Sequence, residues 1–412
     1  MEPPLWPRHP LGTLVTLRSG GTPSRGNPAY WGGDVPWLSA KDLKTFFLGD
    51  SIESLTQAGA KSGVRMVPAG TILVLVRGMT LLKKVPVGVT TRAVAFNQDV
   101  KALEPKSGVD ATYLGYWLTT MEPVLLAHVS NAGHGTGRLA TSILDDLEVP
   151  VPPLAEQRRI AEILSTWDAA IEQTEKLLDA KQRRKRALAQ QLLTGKRRFR
   201  EFEGEKWKHL RLKDAFQRIT DPVPERVHAV LSITAKTGFV DQRDKFSKVI
   251  AGKAFENYVH LKRGEFSYNK GNSLTYPQGC IYRLREFDEG AAPAVYFSFR
   301  IRRPDVEGEF YRFYFLHGLL NPQLRGLISS SARGNGLLNV DVDDFFNMRI
   351  DFPSLAEQQK IAAVLNAADQ EVVQLKDQLA ALKKQKQGLM QVLLTGKVRV
   401  KGQIHKELGA NG

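Results

Sequence analysis

PPLAEQRRIAEILSTWDAAIEQTEKLL occupies residues 152–178, and PSLAEQQKIAAVLNAADQEVVQLKDQL occupies residues 353–379. At a shift of 201, residues 154–198 and 355–399 align without a gap and agree at 20 of 45 positions, against roughly 3 from ordinary residue frequencies. The chain therefore contains an internal duplication. Each copy has proline just ahead of it (Pro152, Pro153, Pro353), an acid in its first turn (Glu156, Glu357) and a glycine where a helix stops (Gly195, Gly396), with no proline between. Each copy reads as one long helix.

In the second copy Ile361, Leu365, Ala368, Val372, Leu375, Leu379, Leu382, Lys386, Leu389 and Leu393 recur at steps of four and three. The first copy places Ile160, Leu164, Trp167, Ile171, Thr174, Leu178, Lys181, Lys185, Leu188 and Leu192 on the same positions. A 3.5-residue period keeps one seam on one face, which is the coiled-coil pattern, and a lone helix leaves that seam in water. The natural partner is the other copy. Two like units in one chain are most simply related by an approximate twofold axis, so the rods are expected to be antiparallel, each about 60 Å long at ~1.5 Å per residue. The run Lys181, Arg183, Arg184, Lys185, Arg186 puts charge on two seam positions. That end is expected either to splay from its partner or to face DNA phosphate or another subunit.

The 412 residues are 42% hydrophobic and 25% charged, an ordinary soluble composition long enough for two or three domains. No apolar run approaches the ~18 residues of a membrane span, and MEPPLWPRHP lacks the order of a signal peptide. A soluble, cytoplasmic protein without a membrane partner is expected. The lone Cys280 excludes a disulfide framework and a Cys-based zinc site, and reads as a buried bystander. A net charge of +15 calls for an anionic partner, nucleic acid first. Residues 154–200 and 355–412 carry +10 of it.

The shift of 201 also pairs Trp6 with Trp207 and Tyr113 with Tyr314. Aligning Asp145-Asp146 with Asp343-Asp344 then requires three extra residues before the second LAEQ. The first half has the punctuation of an α/β or α+β domain. Residues 18–43 read as a Gly/Pro-rich loop with aromatic anchors, TILVLVRG (71–78) as a buried strand, and YLGYWLTTM (113–121) as a short amphipathic helix. In the second half GEFSYNKGNS (264–273), GCIYRL (279–284) and AVYFSFRI (294–301) read as strands and turns, and FYRFYFLHGLL (310–320) takes the place of the helix. Two glycine-rich loops, NAGHGTGRLAT (131–141) and SSSARGNGLLN (329–339), offer His134, Arg138, Arg333 and Asn335 to a phosphate or groove edge. Arg25, Arg77, Lys83 and Lys84 in the first half, and Asn269, Lys270 and Asn272 in the second, complete the candidate DNA contacts.

No catalytic apparatus is legible. LLTGKRR and LLTGKVR lack the upstream glycine and the following Ser or Thr of a phosphate loop, and the eight histidines are scattered. There is no Asp- or Asn-Pro-Pro-aromatic tetrapeptide of an amino-methyltransferase, no His-Glu-x-x-His, and no nuclease string of carboxylates and lysine. No cofactor or metal is expected on this chain.

The sequence resembles the specificity subunit (HsdS) of type I restriction–modification enzymes over nearly its whole length. The most specific marks are VPPLAEQRRIAEIL (151–164), FPSLAEQQKIAAVL (352–365), QQLLTGKRRF (190–199) and QVLLTGKVRV (391–400). GGTPSRGNPAYWGGDVPWLSAKDL (20–43), FNQDVKAL (96–103) and YNKGNSLTYPQGCIYRL (268–284) are similar to parts of its target recognition domains. The resemblance implies an α+β fold, with two α/β-type target recognition domains separated by two long antiparallel coiled-coil helices in a pseudo-twofold repeat. The boundaries are then a first recognition domain at 1–151, a spacer helix at 152–198, a second domain at 199–352, a second spacer at 353–400 and a tail at 401–412. It further implies a non-catalytic reader of double-stranded DNA that recognises a bipartite, non-palindromic site. Such a reader docks two methyltransferase (M) subunits and restriction (R) subunits, and S-adenosylmethionine, Mg and ATP belong to those partners only. The alternatives are the specificity part of a methylation-only system, and a coiled-coil scaffold binding nucleic acid without sequence choice.

Overall fold

The computed structural model describes residues 6–132, 135–225, 227, 229–234, 237–245, 257–271, 276–328 and 338–400. They fall into two compact units. The first takes the residues up to Glu175 together with those from Asp377 onward, and the second is Lys176–Lys376.

The first unit opens with β1 (Arg8–Pro10), α1 (Leu11–Leu14), β2 (Val15–Ser19), β3 (Trp31–Leu38), β4 (Phe47–Leu48), β5 (Glu53–Leu55), α2 (Gln57–Ala60) and β6 (Met66–Val67). It continues with β7 (Ile72–Leu75), β8 (Arg77–Gly78), β9 (Val87–Thr90), β10 (Val94–Phe96), β11 (Val100–Pro105), α3 (Ala111–Thr120) and α4 (Glu122–Ala127). Then follow β12 (Ser130–Asn131), β13 (Gly137–Arg138), α5 (Thr141–Asp145), β14 (Glu148–Pro150) and α6 (Leu154–Leu192), whose first half belongs to this unit. A five-stranded sheet of order β2-β11-β7-β9-β4 places β7 at its centre. All of Ile72–Leu75 is buried, as an uninterrupted apolar run requires when both faces are covered. In α3 every residue from Tyr113 to Leu118 is buried, so the expected amphipathic helix is buried all round. The cause is a sandwich: a Cβ on Gly115 would stand 2.8 Å from Val89 of the sheet, while the Tyr116 hydroxyl donates to Asp168 of α6 at 2.6 Å.

The second unit contains the last half of α6, β15 (Lys208–Arg211), α7 (Leu212–Ala215), β16 (Phe216–Arg218), β17 (Leu231–Thr234), β18 (Gly238–Asp241) and α8 (Gln242–Lys245). It goes on through β19 (Tyr258–Lys262), β20 (Phe266–Asn269), β21 (Cys280–Arg283), β22 (Glu289–Pro293), β23 (Phe297–Ile301), α9 (Gly308–Leu316) and α10 (Asn321–Leu327). It closes with α11 (Val342–Asn347), β24 (Arg349–Phe352) and the first half of α12 (Leu355–Leu393). The principal sheet is β16-β23-β20-β21, antiparallel throughout. Its core is aromatic where the first unit's is aliphatic: Phe299 lies 5.4 Å from both Phe216 and Phe266 and 5.9 Å from Phe315. Among the described residues the strands expected within 264–301 are present as β20, β21 and β23 and the helix expected at 310–320 as α9, whereas the loop expected at 18–43 is interrupted by the strand β3.

The two copied segments are single 39-residue helices. Every seam position is buried or half-buried in both, including Ile160, Leu164, Trp167, Ile171, Leu178, Ile361, Leu365, Val372, Leu379 and Leu382. Within each unit the two helix segments run antiparallel. In the first, Glu156, Asp168 and Glu175 meet Arg399, Lys386 and Lys383 in falling order. In the second, Lys181, Lys185 and Arg198 meet Glu371, Asp369 and Glu357. The seam lysines thus correct one expectation. The basic end of α6 does not splay, because Lys181 is paired with Glu371 at 2.7 Å, Lys185 with Asp369, and Ala189, Leu192 and Leu193 are buried beyond them. A charged seam position satisfied in only one alignment specifies register at some cost in stability.

The LAEQ motif explains itself at the helix starts. Gln157 is buried; its Oε1 accepts from the Asp110 N–H at 2.8 Å, and its Nε2 donates to the carbonyls of Gly108 and Pro152 at 3.0 and 2.8 Å. Gln358 repeats the pattern with Glu307, Asp305 and Pro353 at 2.8, 3.1 and 2.9 Å. Glu156 accepts two bonds from Arg399, at 2.8 and 2.7 Å, and Glu357 accepts two from Arg198, at 2.8 and 2.6 Å. Each arginine follows an LLTGK turn whose glycine sits at positive φ, 66° for Gly195 and 77° for Gly396, the left-handed stop that brings the chain back. The end of each rod is therefore fastened to the start of the other, and the repeated residues are those that make the fastening.

The structure also corrects the alignment. Leu11 N–H to Leu147 O corresponds to Leu212 N–H to Met348 O, and Ala140 and Asp341 both stand just before their helices, so the shift of 201 runs unbroken through this region. Asp145-Asp146 and Asp343-Asp344 are not equivalent, and no three-residue insertion separates them from LAEQ. The length change lies earlier. The Tyr113 hydroxyl donates to Pro150 O and the Tyr311 hydroxyl to Asp351 O, both at 2.9 Å, so Tyr311 rather than Tyr314 matches Tyr113. Trp6 and Trp207 do correspond: each lies beneath the clamping arginine, with Arg399 5.4 Å from one ring and Arg198 5.8 Å from the other.

Candidate nucleic-acid interface

The buried strand β7 surfaces at Arg77, and β8 pairs with β13 in a small sheet of order β12-β13-β8. In that register Arg138 lies directly opposite Arg77. Like charges facing each other across an antiparallel pair are destabilising by ~0.2–1 kcal/mol. Neither guanidinium has an ion-pair or side-chain hydrogen-bond partner among the described residues, and both are exposed. The next segment is a 3₁₀ turn, Met79–Leu82, followed by Lys83 and Lys84, also exposed and without such partners among the described residues. Gly137 is what lets β13 lie on this turn: a Cβ there would stand 2.9 Å from Leu81 and 2.8 Å from Val129. Four of the cations singled out in the sequence are thus gathered on one edge of the first unit. A surface that concentrates positive charge in this way suits a polyanion.

The other described candidates are engaged within the fold. Arg25 forms a two-pronged pair with Glu53 and lies 4.0 Å over the Trp31 ring and 5.0 Å from that of Trp37. The guanidinium holds the Glu53 carboxyl below its ordinary range. In the second unit Asn269 donates to Ile233 O at 3.3 Å and accepts from Gly271 N–H at 2.9 Å, which shapes the loop after β20. The Lys270 ammonium sits 4.5 Å over the Phe297 ring. His134, Asn272, Arg333 and Asn335 lie outside the described residues.

Sequence reasoning missed the charged fastenings Glu156–Arg399, Asp168–Lys386 and their counterparts Glu357–Arg198 and Asp369–Lys185. The signal was present, since all four residue types are identical between the copies. Cys280 is half-buried, and burial pushes its thiol up to about 11, so it stays protonated at neutral pH. Among the described residues no three His, Cys, Asp or Glu side chains form a metal-binding group, and no helix is long and apolar enough to cross a membrane.

Residues 4–180 match the family profile described as the type I restriction modification DNA specificity domain. The MjaIX type I restriction enzyme specificity subunit of Methanocaldococcus jannaschii is 25% identical and aligns over 96% of this chain and 94% of its own length. Over nearly its whole length the chain is similar to a type I restriction enzyme specificity subunit. A second relative, the EcoR124I/EcoR124II specificity subunit of Escherichia coli, is 29% identical over 38% of this chain and 40% of its own. The fold is shared with the type I restriction–modification S subunit of M. genitalium, at a TM-score of 0.58 and 15% identity, covering 95% of this chain and 97% of that one. Within this chain the division of labour is plain. The repeated residues build the fastened helices, and the dissimilar sheets are left free to differ.

Proposed function

We propose that this chain is the DNA-reading subunit of a type I restriction–modification system. It reads a bipartite, non-palindromic site and carries no chemistry of its own. The observation that carries this reading is the contrast inside the duplication. The two units share their fastening residues position by position, yet differ in sheet topology, core composition and surface. Two unlike surfaces on one repeated scaffold suit two unlike half-sites. The unbroken helices α6 and α12 serve as the spacer for the gap. Methyltransferase subunits dock on this chain, supply S-adenosylmethionine and take the target adenine out of the stack. Restriction subunits, with Mg and ATP, join that assembly.

Exchanging residues 1–150 for the equivalent unit of a relative tests the reading. Mapping methylated adenines in cells carrying the chimera should show one half-site changed and the other retained; a change in both sinks the modular reading.

The cation cluster makes a second expectation. In the assembled complex, Arg77→Ala with Arg138→Ala should weaken binding to the mapped site and to random duplex alike. It should also lower the slope of log affinity against log salt by roughly 2, about one for each phosphate that is no longer neutralised. An unchanged slope, measured by titration at several salt concentrations, removes these two residues from the interface.

A further inference from the structure

Met79 is 72% exposed, more than any other large hydrophobic side chain among the described residues, and Leu82 on the same turn is 48% exposed. Single exposed apolar residues are common and need no explanation. This pair is different in how it is held. Leu81, between them, is 0% exposed and seated against Gly137, while Gly78 at φ 134° turns the chain outward from the buried strand. The two apolar tips are thus presented by a turn bolted to the sheet. On either side stand Arg77 and Arg138, and Lys83 and Lys84, without ion-pair partners among the described residues.

An occupant of this edge must be a polyanion that also offers apolar surface between its charges. Two side chains fall far short of the ~800 Å² that a stable protein partner buries on each side. A DNA groove meets both requirements, with phosphates along its walls and base edges, including the thymine methyl, on its floor. An apolar side chain can also enter between base steps from such a position.

We propose that Met79 and Leu82 are base-contacting residues of the first unit. They reach into the groove of one half-site while the four cations hold the flanking phosphates. The inference rests on the reading of the chain as a DNA specificity subunit, and adds where its first unit touches bases.

The test uses the full chain co-expressed with the modification subunit of its system. Affinity is measured for duplex carrying the methylation-mapped site and for random duplex, over a range of salt. Met79→Ser and Leu82→Ser, alone and together, should cut binding to the mapped site about tenfold while leaving random duplex and the salt slope unchanged, as follows when base recognition alone is weakened. A ratio of mapped to random affinity equal to that of the unsubstituted complex overturns the proposal. So does a loss shared equally by both duplexes with a lower slope, which marks phosphate contact only. If the unsubstituted complex itself does not prefer the mapped site, the underlying reading fails, a result visible before any variant is made. Circular dichroism of the variants matching the parent excludes misfolding as the cause.

Discussion

Glu357→Ala is expected to destabilise the second unit by about 3 kcal/mol, because it breaks a buried pair and leaves its cation behind. The carboxylate is 0% exposed, accepts two bonds from Arg198 and takes the Trp207 indole N–H at 2.8 Å. Without it a guanidinium whose side chain is only 14% exposed and an indole donor both lose their partner. The symmetric change, Glu156→Ala, should cost less, since Arg399 is 47% exposed and can return to water. Denaturant unfolding followed by hydrogen exchange over residues 355–365 and 154–164 separates the two units; a Glu357→Ala loss below that of Glu156→Ala contradicts the account. Acid adds a check on the first unit. The Arg399 guanidinium, by hydrogen bonding foremost, holds the Glu156 carboxyl below its ordinary value of 4.5. A carboxyl depressed on folding contributes stability that is full above its unfolded pKa and is lost as pH falls through the folded one. The gap between the parent and Glu156→Gln should therefore be constant near neutrality and shrink only below about pH 4.5.

Leu379→Pro should cost about 3 kcal/mol or more locally and abolish methylation at the interrupted site. Leu379 is a half-buried seam position well inside α12. Proline there removes one helical hydrogen bond and drives its ring into the preceding turn, so the spacer bends at a single residue. Leu379→Ala is the control, as alanine keeps the helix and removes only seam packing. Methylome mapping should find the parent site retained with alanine and lost with proline. Full methylation of the same site by the proline variant would falsify the role of α12 as a spacer.

The long helices and their pairing were legible because a 3.5-residue period repeats over ten positions in each copy, and periodicity survives without knowledge of any neighbour. Strands at 72–75, 266–269, 280–283 and 297–301 were legible for a similar reason: dense apolar runs closed by glycine or charge. The candidate interface was legible only as a scatter of cations. Arg77 and Arg138 are sixty-one positions apart, and nothing local announces that β8 and β13 face each other. Arg25 had the same appearance in the sequence, yet Glu53, twenty-eight positions on, turns it inward.

By itself the sequence determined that the chain is a duplication, that each half ends in an amphipathic rod, and that its charge seeks a polyanion. Period, identity and net charge are properties of residues in order. Tertiary structure decided which lysines are engaged in the seam and which face water, and that the shift of 201 continues unbroken from Ala140 to LAEQ. It also decided that Met79 and Leu82 stand among four cations that pair with no described carboxylate. Those outcomes depend on pairing between residues far apart in the chain, where one carboxylate within reach converts a candidate contact into a strut.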